Sequence, residues 1–324
     1  LPLLYLGRFL DGLFAAAIAP AAYALVGDHA PSMEWRAHRF ALINIAGTLG
    51  FFAGPLLGGL VVGAFRELVA AAAERASSAP FLTTSGLALV AALMVWGLVP
   101  RPVPRQHVRI AAAETTSDRT VIKRLWVIAF VTAVAVGAFE VGLSLRGKQV
   151  LGLDASQIGM MFAECSLVMF VVQALVFSPL VKPAWTRWLI TPGLAILALS
   201  LFAVPFADTN ISMIVAVALV AASAGILSPI VTYWVSLSAG ATQGADLGRV
   251  TAAASLGQAL GSAAGGLLFA VAFLPGAAFT AAAAVVLSAI AASLGLPRLL
   301  HMTTFGGAVA SVANARAPQR CPPH

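Results

Sequence analysis

The chain has 324 residues, 60% of them hydrophobic and 10% charged, where an ordinary soluble domain has about half and about a quarter. A mean hydropathy of +0.95 excludes a water-soluble globule, the wealth of Ala, Leu, Val and Phe excludes a disordered chain, and two cysteines exclude a disulfide scaffold. The net charge of +7 does not mark a nucleic-acid surface, because the 19 Lys and Arg lie between long apolar runs instead of on one face.

A helix rising about 1.5 Å per residue needs about 20 apolar residues to cross about 30 Å of hydrocarbon. Nine stretches qualify: Leu1 to Val26, Phe40 to Phe65, Pro80 to Val99, Leu125 to Leu145, Ile158 to Leu180, Trp188 to Phe206, Ile211 to Leu237, Val250 to Leu274 and Ala277 to Leu296. Backbone polar groups in lipid must be satisfied inside the segment, and the alternation of a barrel strand is absent, so these spans are expected to be helices. The fold class is an all-α polytopic membrane protein.

Between the spans, Arg66 to Ala79 reads as a short outer interfacial helix, with Arg66, Glu67, Glu74 and Arg75 facing water. Pro100 to Arg124, with Arg-Pro-Val-Pro-Arg and a polar run from Glu114 to Arg119, reads as a linker between two bundles. The expected organisation is a partial three-span bundle over 1–99, a cytoplasmic linker over 100–124, a six-span bundle over 125–296 and a disordered cytoplasmic tail over 297–324. No signal peptide is visible, since the first apolar run carries Arg8 and Asp11 and no basic segment precedes it.

Cations in short loops are retained on the cytoplasmic side. Alternating spans put 14 on one side (Arg36, Arg39, Arg101, Arg105, Arg109, Arg119, Lys123, Arg124, Lys182, Arg187, Arg249, Arg298, Arg316, Arg320) and four on the other (Arg66, Arg75, Arg146, Lys148). The imbalance predicts that the linker and the C-terminal tail are cytoplasmic and that Leu1 lies outside.

Shifted by 207 positions, the second span falls on the eighth: Gly50, Gly54, Gly58 and Gly59 land on Gly257, Gly261, Gly265 and Gly266, and both runs read GxxxG[P/S]xxGG. Small residues four apart make a flat face that lets a neighbouring helix approach closely, and Pro55 adds a kink. The matching spans are six apart, which makes the repeat a six-helix unit, as in transporters built from internal repeats. The second unit has four helices before its glycine helix and the first has one. Three further spans, about 90 to 100 residues, are therefore expected ahead of Leu1, and an odd number again puts Leu1 outside.

These residues resemble the major facilitator superfamily, and within it the drug:proton antiporter type of exporter. Gly50 to Gly59 is similar to the antiporter motif GxxxGPxxGG of that family's fifth helix, and Gly7-Arg8-Phe-Leu-Asp11-Gly12 looks like its fourth-helix RxxxG motif. The resemblance implies nine transmembrane helices of an expected twelve, helices four to twelve, in two pseudo-symmetric bundles of the cell inner membrane. It also implies a role for Arg8 in proton coupling. Two departures stand out: Asp11 occupies a place often held by Gln, and Ser178 to Arg187 lacks the Gly and Asp of the family's loop signature.

Arg8, Asp11, Glu140 and Glu164 put formal charge well inside a span, which is costly unless paired or hydrated, and so are candidates for proton or substrate coupling. Arg8 and Asp11 share one helical face, either as a proton or cation acceptor gated by its arginine or as a static ion pair. Glu140 either faces a central cavity or snorkels outward to Arg146 or Lys148. Glu164 lies about two turns into its span. Thr251, Ser255, Gln258 and Ser262 make a polar stripe beside the glycine face, and the 207 shift carries it onto Asn44, Thr48, Phe51 and Pro55. The stripe either lines an aqueous path or hydrogen-bonds across helices. Phe139, Met160, Met161, Phe162, Met169, Phe170, Tyr233 and Trp234 are candidates for an adaptable apolar pocket or for ordinary core and lipid contacts.

Enzyme chemistry has no visible parts: there is no Walker motif, HExxH, paired metal-ligand spacing or nucleophile elbow. Asn210-Ile-Ser212 fits a glycosylation acceptor, a pattern that arises readily by chance. The expected function is secondary active transport by alternating access, as proton-coupled export of a small apolar or cationic compound. The expected partners are substrate, protons and lipid, with no cofactor, no metal and no nucleic acid, and the expected state is a monomer. A metabolite uptake symporter or facilitator, and a non-transporting sensor or assembly factor on the same fold, are the alternatives.

Overall fold

A computed structural model describes residues 2–28, 32–68, 79–98, 119–153, 155–178, 181–207, 209–239, 243–271 and 276–300. Among them lie the α-helices α1 (Pro2–Asp28), α2 (Met33–Leu68), α3 (Ala79–Leu98), α4 (Arg119–Gln149), α5 (Ala155–Val176), α6 (Ile190–Ala203), α7 (Asn210–Ser238), α8 (Gln243–Val271) and α9 (Ala277–Ser293). No strand occurs among the described residues. Among the described residues, five segments are long and apolar enough to cross a membrane: Arg119–Gln149, Gln157–Val176, Pro183–Phe206, Ile211–Ser238 and Ala245–Ala270.

Local chemistry sets the ends. Proline, which lacks an amide hydrogen, opens the 3-10 turn Pro183–Leu189 before α6 and closes the helix through the 3-10 turn Val204–Phe206. The expected single helix from Trp188 to Phe206 is therefore an α-helix of 14 residues between two tighter turns. Thr209 and Ser212 cap α7 reciprocally, so the hydroxyl of the glycosylation-like triplet is spent on a capping box. After α4 the chain turns at Gly152, whose φ of +66° suits a residue without a Cβ. Two boundaries differ from expectation. Residues 119–124 belong to α4 instead of the linker, and Arg66 and Glu67 continue α2 instead of starting a separate interfacial helix. Residues 69–78, the rest of the linker and the tail from 301 lie outside the described residues.

The chain divides into two compact units, Leu1–Thr48 with Glu114–His324, and Leu49–Ala113. In the larger unit α4 packs along α8 and also against α9 and α7, α5 packs on α7, α6 on α7 and α9, and α1 on α8. The core between them holds Leu125, Ile128, Phe139, Leu143, Leu194, Leu197, Tyr233, Trp234 and Phe279, all fully buried. Its outer surface is also apolar, with Leu199, Phe202, Ile211, Leu219 and Leu267 exposed, the inverse of a soluble bundle and the pattern of a lipid-facing one. In the smaller unit α3 exposes Leu82, Leu87, Leu93 and Trp96 along its length.

Antiparallel contacts identify the two ends of the larger unit. At one end Arg124 donates to the Leu294 carbonyl (3.1 Å), Trp234 Nε1 donates to Thr186 Oγ1 (3.0 Å), and the hydroxyls of Thr191 and Ser293 hydrogen-bond (3.0 Å). At the other, Arg146 Nη2 donates to the carbonyls of Pro205 and Ala207, each at 3.2 Å. The first end carries Arg36, Arg39, Arg119, Lys123, Arg124, Lys182, Arg187, Arg249 and Arg298, while Arg146 and Lys148 lie at the second.

Candidate functional site

The closest helix approach in the larger unit is made by glycines. A Cβ on Gly257 would meet the carbonyl oxygen of Phe130, one on Gly261 that of Val134, and one on Gly265 would stand 3.0 Å from the Cα of Ala138. From α4, Gly137 answers against the carbonyl of Gln258. The eighth-span glycine motif is thus a ridge pressed against the backbone of α4. The matching positions in α2 differ: at Gly50 and Gly54 nothing lies within 4 Å of a Cβ, and the side-chain surroundings of Pro55, Gly58 and Gly59 lie outside the described residues.

Because the ridge brings α8 so near α4, its polar stripe reaches across. Gln258 Nε2 donates to Glu140 Oε2 at 3.2 Å, and Ser262 Oγ donates to the Gly137 carbonyl at 3.4 Å. Thr251 turns back to the Leu247 carbonyl of its own helix, and Ser255 is exposed. Glu140 sits 15 residues into its apolar stretch, about 22 Å along the helix axis. It is half-buried and does not reach outward: Arg146 is buried and turned to the Pro205 and Ala207 carbonyls, and no ion pair joins Glu140 to Arg146 or Lys148. In this structure the carboxylate is held by the Gln258 amide. On α5, half-buried Glu164 has no hydrogen-bond partner among the described residues, and the adjacent Cys165 is buried. Glu140 and Glu164 thus lie on α4 and α5, two helices in contact.

The α2 candidates are also placed. Asn44 donates to the Phe40 carbonyl at 2.9 Å and shares a hydrogen bond with Tyr23 of α1, whose ring lies 4.9 Å from that of Phe40. Buried Thr48 bonds the Asn44 carbonyl (3.0 Å) and, across the helix interface, Gln173 Oε1 of α5 (3.3 Å). One turn from the start of α2, Arg36 Nη1 donates to the Ser236 carbonyl of α7 at 3.2 Å. Gln173 and Ser236 are not singled out by the sequence, and Arg36 is read there only as one of the loop cations. A lone amide in an apolar span was the available signal for Gln173, and the other two lie at helix ends where polar residues are ordinary. The side chains of Arg8 and Asp11 lie outside the described residues.

Among the aromatic candidates, Phe139 packs edge-on to Phe279 (6.5 Å) and Tyr233 to Trp234 (5.5 Å), all fully buried, so these four build the core instead of a pocket wall. Met160 is exposed. Among the described residues no group of His, Cys, Asp and Glu could hold a metal ion.

Comparison with known proteins gives the same picture. Two Bacillus subtilis (strain 168) proteins align over 276 residues: Multidrug resistance protein 2 at 26% identity, covering 82% of this chain and 66% of the relative, and Multidrug resistance protein 1 at 24%, covering 82% and 67%. The chain thus spans about two thirds of the length of the curated relatives it matches. The crystal structure of the human organic anion transporter MFSD10 (TETRAN) superposes with a TM-score of 0.65 at 18% identity, over 84% of this chain and 66% of that one, a likeness of fold. The description of the Major Facilitator Superfamily matches residues 1–266. With apolar helices packed through a glycine ridge, and with that match over most of its length, the chain belongs to the major facilitator superfamily.

Proposed function

We propose that this protein is a secondary active transporter that exports a small apolar or cationic compound in exchange for protons, working by alternating access. The observation that carries the reading is Glu140: a carboxylate inside an apolar span, half-buried, held by the Gln258 amide and free of any ion pair among the described residues. An ionisable group so placed is costly to keep and is usually retained for binding or proton movement. Glu164 adds a second acidic group inside a span, on the adjoining α5, and Arg8 with Asp11 would supply the coupling pair on α1. The multidrug-resistance names of the two Bacillus relatives favour export. The cation-rich end, with the C-terminal tail, is cytoplasmic in this reading, by the retention of Lys and Arg on that side of the inner membrane. The transporter acts as a monomer and needs no metal or cofactor, its energy coming from the proton gradient.

The test is substrate flux in vesicles under an imposed pH gradient. Efflux should collapse with the gradient, and Asp11→Asn or Glu140→Gln should uncouple it. Efflux indifferent to the gradient and unchanged in both variants removes the coupling claim.

A further inference from the structure

On the outer surface of the larger unit, α6 and α9 enclose a groove of about 350 Å³ that the transport reading does not use. Its floor is made of small residues, Ala195 and Ala198 from α6 with Ala283 and Ala284 from α9, and its rims of Leu199, Phe202 and Leu287. From Ala195 to Phe202 it follows α6 for roughly 10 Å. A hydrophobic slot of this size on a face already apolar all round is filled, in a bilayer, by hydrocarbon.

One mouth is rich in cations. One turn below the floor, the Thr191–Ser293 hydrogen bond ties α6 to α9, and beyond it stand three cations: Lys182 and Arg298, both exposed, and half-buried Arg187. Arg187 Nε and Nη1 are buried and have no hydrogen-bond partner among the described residues, a deficit of the kind that an anionic acceptor cancels. Trp185 and Trp188 are exposed beside it, amphipathic rings of the type that settle at headgroup level, and the Arg187 guanidinium lies 5.9 Å from the centre of the Trp188 ring. No acidic residue occurs between Lys182 and Ala207 or between Gly276 and Leu300.

We propose that the groove between α6 and α9 binds one acyl chain of an anionic phospholipid, whose phosphate is held by Lys182, Arg187 and Arg298 at the cation-rich mouth. Basic pockets between membrane helices on the cytoplasmic side select anionic headgroups in this way. The slot fixes the chain, and the cations select the leaflet and the charge. The bound lipid would cover the seam between α6 and α9.

The experiment is native mass spectrometry on the full chain, delipidated in detergent and titrated with phosphatidylglycerol or with phosphatidylcholine of identical acyl chains. One phosphatidylglycerol should be retained in preference to phosphatidylcholine. Arg187→Gln should weaken that retention about five-fold, the worth of one cation near a lipid surface, and the paired exposed variants Lys182→Gln and Arg298→Gln should do so without touching a buried atom. Ala195→Leu with Ala284→Leu, which fills the slot from two exposed positions, should weaken both lipids alike. Equal retention of the two lipids, or retention unchanged by the charge variants, overturns the headgroup assignment. Retention unchanged by the filled slot, or full displacement of lipid by inorganic phosphate, overturns the acyl-chain assignment.

Discussion

The carbonyl oxygen of Val134 on α4 occupies the place where a Cβ on Gly261 of α8 would stand. A methyl group there must push apart two backbones, because no flexible side chain can yield, and overpacking of this kind costs about 1–3 kcal/mol. Gly261→Ala is therefore expected to lower the thermal unfolding temperature of the purified protein, and Gly261→Leu to prevent its accumulation. Gly159 on α5 is the matched control, with nothing within 4 Å of an added Cβ. There Gly159→Ala should be neutral or stabilising by about 0.5–1 kcal/mol, the backbone entropy that glycine loses on folding.

Glu140 is expected to act through its charge. Glu140→Gln keeps the length of the side chain and can still hydrogen-bond Gln258, so the α4–α8 packing should survive. In the export reading, transport of a cationic dye should fall by about ten-fold, a typical coupling between two sites, while a neutral substrate of similar size is affected less. Parallel uptake measurements in cells expressing the variant check this. An equal loss for both substrates, with the dependence on the pH gradient intact, assigns Glu140 to helix packing and removes it from both the substrate and the proton path.

Arg146 is a structural test of a different kind. Its guanidinium is buried at the end of α4 and donates to the carbonyls that Pro205 and the following turn leave without helical partners. Hydrogen bonds to charged groups contribute about 1.5–3 kcal/mol. Arg146→Met should destabilise the protein by about 2–3 kcal/mol, and Arg146→Lys by less, since an ammonium can still reach one of the two oxygens. Chemical denaturation followed by tryptophan fluorescence, with Trp234 in the core, gives the measurement. A loss of transport with unchanged stability would contradict this role.

The outcome at Arg146 shows how far sequence reasoning reached. Glycines at four-residue spacing and long apolar runs are local patterns, so the helices and the ridge from Gly257 to Gly265 were legible. Which helix meets the ridge was not, since it depends on Gly137 and Ala138 lying opposite on α4, a matter of tertiary register. Arg146 was counted with the loop cations because charge ends an apolar window. The helix in fact runs on to Gln149, and the broken turn at Pro205 supplies acceptors that make a buried cation tolerable. The Glu140–Gln258 hydrogen bond joins residues 118 positions apart. Both partners had been selected, but their pairing follows only from the glycine-driven closeness of α4 and α8.

Thr48 of α2 and Gln173 of α5 offer the most direct probe of movement. Their hydrogen bond (3.3 Å) and that of Arg36 to the Ser236 carbonyl (3.2 Å) link α2 to α5 and α7 within the cation-rich half of the larger unit. In the alternating-access reading, contacts that close one half must part when that half opens. The double-mutant cycle of Thr48→Val and Gln173→Leu is expected to give a coupling of about 0.6 kcal/mol in unfolding, the mean for hydrogen bonds within membranes. The same pair, combined with Arg36→Gln, should raise the labelling rate of a cysteine introduced at Ser236 by a membrane-impermeant reagent applied from the cytoplasmic side, because weakening the closed half shifts the population toward the open one. Labelling unchanged by the triple variant, alongside a measurable coupling in unfolding, would make these contacts a fixed part of the fold instead of a seam that opens.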